Sequence, residues 1–230
     1  MTSPRVQVRQ GREGLELRVD GTLASLHLPG EGVTGLVWWS LAAPIILLPR
    51  LPRRRVLLLG LGGGSVARAI RALDPWAEIV GVERNPDVLR LARDHFGLDR
   101  LGLELVRRDA LECLAQERRR FDLIVEDLFV GPSRSVRKPD WLLDRGYPLI
   151  GRRRRTRGIV VSNTIHEMPG VVRAMGLLGG RVVSLDARGH WNRIVVGGTA
   201  VPEPLRLRRI LRAHPLLSPL LPRLAVRTRS

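Results

Sequence analysis

The chain has 230 residues, 44% of them hydrophobic, and a formal net charge of +17 carried almost wholly by arginine, Lys138 being the only lysine. That length holds one sizeable core, or one core with a small appendage, and leaves little room for two full domains. A single cysteine, Cys113, excludes a disulfide framework and a cysteine-built zinc site, so no metal and a reducing compartment, the cytoplasm, are expected.

Residues 5–28 alternate between apolar and polar, and Asp20-Gly21 separates "LELRV" from "TLASLHL". Both turn residues tolerate positive φ, which predicts a hairpin and a small antiparallel N-terminal unit. Arg5 and Arg9 lead into this strand pattern rather than into an apolar leader, so no signal peptide is expected. The stretch Gly32–Pro49 carries no charge and is just long enough to raise the question of a membrane span. Pro44 interrupts it and no second span follows, so a buried or interfacial helix is expected and membrane association is not. The N-terminal unit and this helix are taken as residues 1–50, and the main domain as 51–230.

From Val56 the pattern alternates strand and helix. "VLLLG" is followed by the helical "SVARAIRAL", with Val66, Ile70 and Leu73 on one face. "EIVGVE" leads to "NPDVLRLARDHFG", which has Asn85 as N-cap, Pro86 at the first helical position and Gly97 at the end. "LELVRRD", "ALECLAQE", "FDLIVED" and "GIVVSN" continue the series, and "RVVSLDARGHWNRIVVGG" reads as two strands turning near Gly189. This order predicts an α/β fold: a Rossmann-like, doubly wound, mostly parallel sheet with a C-terminal antiparallel hairpin, beside the small N-terminal β unit.

Four glycines, Gly60, Gly62, Gly63 and Gly64, lie between the first of these strands and its helix. Such a turn lets backbone approach a ligand closely where the helix presents free N–H groups. Glu83 ends the next strand, where a carboxylate can take both hydroxyls of a ribose, and Asp109-Ala110 ends the third, placed for an adenine edge. Glu83 as a helix-entry charge and Asp109 as an N-cap are the structural alternatives. Together the three strand ends point to an adenosine site. A nicotinamide or flavin dinucleotide ranks second, because Ser65 stands where G-x-G-x-x-G requires its last glycine.

The succession "GLGGGS", "VERNP", "RRDA" and "FDLIVED" resembles the class I S-adenosylmethionine-dependent methyltransferase-fold superfamily, and within it the spermidine synthase family of polyamine aminopropyltransferases. "LELRVDGTLASLHLP" is similar to that family's L-D-G-x-x-Q-S strands, and "VLLLGLGGGS" to its V-L-V-I-G-G-G-D-G-G segment. "VGVERNPDVLRLARDHF" resembles V-E-I-D-P-x-V-I-x-x-A-R, and "FDLIVEDLFVGP" resembles Y-D-V-I-I-x-D-S-x-D-P-x-G-P. The resemblance implies S-adenosylmethionine, its decarboxylated form or methylthioadenosine at the nucleotide site. It also implies a small-molecule acceptor and a homodimer formed partly through the N-terminal unit.

The catalytic motif is degraded. Gly63 replaces the glycine-loop acid, Ala24 the signature glutamine, and Val37 and Trp38 the family's tyrosine and histidine. Asp127 matches the first acid of the catalytic loop, while two residues are missing before Val130-Gly131-Pro132 and the second acid has no counterpart. An acid at position 63 would repel the α-carboxylate of S-adenosylmethionine; a glycine there offers an N–H instead. This favours methyl transfer over aminopropyl transfer, with a polyamine aminopropyltransferase of divergent acceptor site, or a non-catalytic nucleotide-binding or interaction protein, as alternatives. Asp127 and Glu126 are the catalytic candidates, with Asn163 and His166 also on the acceptor side and Trp38, Trp39 and Trp191 as pocket walls.

Arg53–Arg55, Arg118–Arg120 and Arg152–Arg155 each precede a predicted parallel strand. They are expected on the sheet edge opposite the ligand, as a solvated rim or as a surface for an acidic partner, nucleic acid or anionic lipid.

Overall fold

A computed structural model describes residues 4–28, 35–49 and 53–229. Residues 32–34 of the uncharged stretch lie outside the described residues.

Strands β1 (Val6–Gln10), β2 (Leu15–Val19) and β3 (Thr22–His27) form a separate antiparallel sheet in the order β1-β2-β3. The turn between β2 and β3 has φ of 47° at Asp20 and 80° at Gly21, the left-handed pair that a two-residue hairpin matching strand twist requires. Leu17 is fully buried and packs with Val88 and Phe96 of the helix α3 described below.

Helix α1 (Leu36–Ala42) is buried on every side and runs into a 3₁₀ turn, Ala43–Leu47, that accepts Pro44 in its first positions. Its side chains pack into the main core, and among the described residues no helix is long and apolar enough to cross a membrane.

The main sheet is built from β4 (Arg55–Leu59), α2 (Ser65–Leu73), β5 (Glu78–Val82), α3 (Pro86–Phe96), β6 (Glu104–Val106), α4 (Ala110–Gln116), β7 (Phe121–Glu126), α5 (Tyr147–Arg153), β8 (Arg154–Thr164), α6 (Met168–Leu177), β9 (Arg181–Ala187), β10 (Arg193–Gly198), α7 (Pro204–Ala213) and β11 (Leu224–Arg229). Its strand order is β11-β9-β10-β8-β7-β4-β5-β6. The five strands from β8 to β6 are mutually parallel, and β9, β10 and β11 join by antiparallel pairing. The C-terminal hairpin of β9 and β10 is present, with β10 next to β8. The C-terminal β11, for which the sequence pattern carries no strand expectation, covers its outer edge.

Alternation along β4 separates the two faces. Val56 and Leu58 enter the core shared with α1, α2 and α7, whereas Leu57 and Leu59 enter the one shared with α4, α5 and α6. With both faces covered, the ends of the strands are left for function. Chain order reverses at β4, whose neighbours are β5 on one side and β7 on the other, so a crevice opens beyond the carboxyl ends of these three strands.

The arginine clusters gather at the opposite edge, where β4, β7 and β8 begin. Much of this charge is neutralised in place. Arg54 pairs with Asp74 at 2.6 Å, Arg55 with Glu78 at 3.0 Å, Arg119 with Glu104 and Glu117 at 2.6 and 2.7 Å, and Arg155 with Asp122 at 3.1 Å.

Candidate active site

A cavity of about 460 Å³ occupies the crevice. Its floor is the turn after β4. Gly60 has φ of 86°, and a Cβ there would lie 2.5 Å from the carbonyl oxygen of Asp127, so geometry and space both demand glycine. Gly60 and Gly62 line the cavity.

Gly63 and Gly64 do not face the ligand space in the way the sequence suggests. The Gly63 N–H donates to the Ser25 hydroxyl at 2.7 Å, and a Cβ at Gly63 would meet the Ser25 Cβ at 2.9 Å and Phe96 Cδ1 at 3.2 Å. Gly64 forms the left-handed N-cap of α2, backed by Leu98 and Leu101. The Ser65 hydroxyl accepts from the Leu26 N–H at 3.2 Å and donates to the Leu26 carbonyl at 3.0 Å. Strand β3 is thus stitched to the glycine turn, with the Gly63 N–H bonded at that junction and Gly63 outside the cavity lining.

Glu83 follows β5 and lines the cavity. Its two carboxylate oxygens accept from the N–H groups of Gly62 at 3.2 Å and Asn85 at 3.0 Å, which fixes the carboxylate and leaves lone pairs for a diol. Asp109 caps α4 through the Leu111 N–H at 2.8 Å, meets Arg84 at 3.4 Å, and lines the cavity together with Ala110. Asp109 thus caps a helix while lining the cavity, and Glu83 braces the turns on either side of it while doing the same.

The β7 side separates two adjacent carboxylates. Asp127 lines the cavity and accepts from the Asn163 side-chain amide at 2.8 Å, and Asn163 in turn accepts from the Asn192 amide at 2.8 Å. Burial raises the Asp127 carboxyl to about 6; Lys138 and the Asn163 hydrogen bond pull it down and Glu126 pushes it up. Glu126, the other catalytic candidate, belongs instead to the core. It is fully buried, pairs with Lys138 Nζ at 2.6 Å, and accepts from the Leu128 N–H at 2.8 Å and from the Ser162 hydroxyl. Lys138 also sits 4.1 Å from the centre of the Phe129 ring. Three hydrogen bonds hold Glu126 in the core, and it does not line the cavity.

Of the other candidates, Asn163 and Trp38 line the cavity, while His166 is exposed outside it. Trp39 belongs to the core, and Trp191 is 81% exposed on the β9–β10 turn and walls nothing. Sequence reading missed Trp141, His190 and Asn192, which line the cavity from loops with no motif of their own, Phe129, which lies within the "FDLIVEDLFVGP" segment, and Leu23, which reaches the cavity from the hairpin.

No family model matches the chain. The chain is 29% identical over 220 residues to the polyamine aminopropyltransferase of Chromobacterium violaceum, a match covering 86% of this chain and 82% of that one. Among solved structures it resembles a probable spermidine synthase from Corynebacterium glutamicum, with a TM-score of 0.76 and 17% identity over 98% of this chain and 88% of that one. A spermidine synthase in complex with the transition-state analogue AdoDATO superposes with a TM-score of 0.65 and 16% identity, covering 90% of this chain and 74% of that one.

Proposed function

We propose that this chain, similar over most of its length to a polyamine aminopropyltransferase, transfers an aminopropyl group from a decarboxylated S-adenosylmethionine-type donor to a small amine. One observation carries this reading. In a chain of net charge +17, the described residues lining the cavity include five carboxylates, Glu13, Asp20, Glu83, Asp109 and Asp127, against two arginines, Arg84 and Arg108. Both arginines follow β5 or β6, on the adenine side. Asp127 follows β7, and the Asp20 carbonyl accepts from the N–H of Ser133 in the loop after β7, so the side beyond the glycine turn presents carboxylates and, among the described residues, no lining arginine or lysine. Such a surface suits ammonium groups and disfavours an α-carboxylate.

Methyl transfer from S-adenosylmethionine, the reading favoured by the lost acid at Gly63, is therefore set aside. The N–H that was to receive the α-carboxylate is already bonded to Ser25, and the similar curated chain matched over most of its length is an aminopropyltransferase. Gly60, Gly62, Glu83, Asp109 and Ala110 would hold the nucleoside. The bound donor supplies a carbon activated by sulfonium, so the protein's work is alignment and proton handling. Asp127 holds the acceptor nitrogen and takes its proton, a task suited to a carboxyl at about 6, and the Asn163–Asn192 pair fixes its orientation.

Incubation with decarboxylated S-adenosylmethionine and a panel of diamines, read by mass spectrometry, tests the proposal. Methylthioadenosine and an aminopropylated amine are expected. Turnover with S-adenosylmethionine alone, or no thioether from either donor, overturns it.

A further inference from the structure

The C-terminal segment is set apart by charge. From Pro204 to Ser230 the sequence has Arg206, Arg208, Arg209, Arg212, Arg223, Arg227 and Arg229 and not one aspartate or glutamate. Helix α7 turns Leu207 and Leu211, 1% and 2% exposed, into the core, and Arg208 ties it to β11 through the Leu224 carbonyl at 3.1 Å. Its opposite face carries Leu205, 77% exposed, with Arg209 and Arg212, flanked by Arg206, and Leu216 stands 43% exposed just past its end. Arg227 and Arg229 reach Asp186, whereas Arg206, Arg209, Arg212 and Arg223 have no ion pair among the described residues. The nearest acid in sequence, Glu203, precedes the helix and is exposed.

We propose that this face of α7 docks the protein on an anionic lipid surface. Unpaired guanidiniums seek anionic headgroups, and large exposed leucines beside them gain by entering the headgroup–acyl boundary. A single-stranded nucleic acid is the poorer fit, because base stacking is best served by Trp, Tyr or Phe and none of these follows Trp191. The proposal is independent of the transferase reading.

Co-sedimentation of the full chain with vesicles of phosphatidylcholine, alone or with about 30 mol% phosphatidylserine, tests it. Binding to the anionic vesicles only, weakening with salt, is expected. Arg209→Glu with Arg212→Glu should lower the vesicle partition coefficient by roughly thirtyfold or more, given the contribution of each basic residue near such a surface. Arg118→Glu with Arg120→Glu makes the same change in net charge at exposed positions on the strand-start rim and should leave binding within about twofold. Leu205→Ser with Leu216→Ser should remove the binding that survives high salt. All six positions are exposed, so unchanged thermal melts are expected and serve as the folding control. Equal loss from both arginine pairs, no binding to anionic vesicles at low salt, or tighter binding to an RNA oligonucleotide than to vesicles overturns the proposal.

Discussion

Asp127→Asn separates what the site costs the fold from what it does. The wild-type carboxyl is raised from 3.8 to about 6, chiefly by burial, so the native state binds a proton that the unfolded chain has released. Stability from that proton is complete below about pH 4 and is lost as pH rises through 6, because ionisation is then resisted only in the native state. Two pKa units at 1.36 kcal/mol each place the cost at neutral pH at about 2–3 kcal/mol. Asparagine keeps the acceptor oxygen facing the Asn163 amide and removes the charge. Urea unfolding should therefore give equal stabilities near pH 3.5, and at pH 8 a variant more stable by about 2–3 kcal/mol, or roughly 4–10 °C in Tm. Aminopropyl transfer should be lost from that more stable protein. A variant less stable at pH 8, or a difference that does not grow between pH 4 and 7, would refute the assignment of Asp127 as a strained, functional carboxyl.

Two further substitutions probe the supports of the site. Lys138→Met leaves Glu126 buried without its counter-ion and should destabilise the fold by about 3–5 kcal/mol, whereas adding Glu126→Gln should restore much of the loss in the same urea titration. Gly63→Asp restores the family acid, yet its Cβ must displace Ser25 and Phe96, so a loss of about 1–3 kcal/mol is expected by calorimetry, with no gain in affinity for the decarboxylated donor by isothermal titration. A stable variant that binds that donor more tightly would show the junction with β3 to be dispensable.

Periodicity and punctuation carried the architecture. The apolar runs at Val56, Ile79 and Leu105, each followed by a helical pattern, required a covered parallel sheet, and Asp20-Gly21 required the hairpin, because these signals act over a few residues of backbone. Glycines and acids at three successive strand ends located the crevice for the same reason: topology delivers every parallel strand end to one edge.

What remained was decided by contacts between residues distant in the chain. Glu126 and Asp127 are neighbours of one charge, and a strand sends neighbours to opposite faces. Only the fold places the lone lysine, twelve residues on, under the first and leaves the second open to the cavity. Ser25 and Gly63 are 38 residues apart, and Asn163 and Asn192 are 29 apart; each pair meets through a single hydrogen bond that leaves no periodic trace. Side-chain direction and the partner at the end of it are properties of packing, which is why local pattern marked the crevice and only tertiary structure decided which of two adjacent carboxylates faces it.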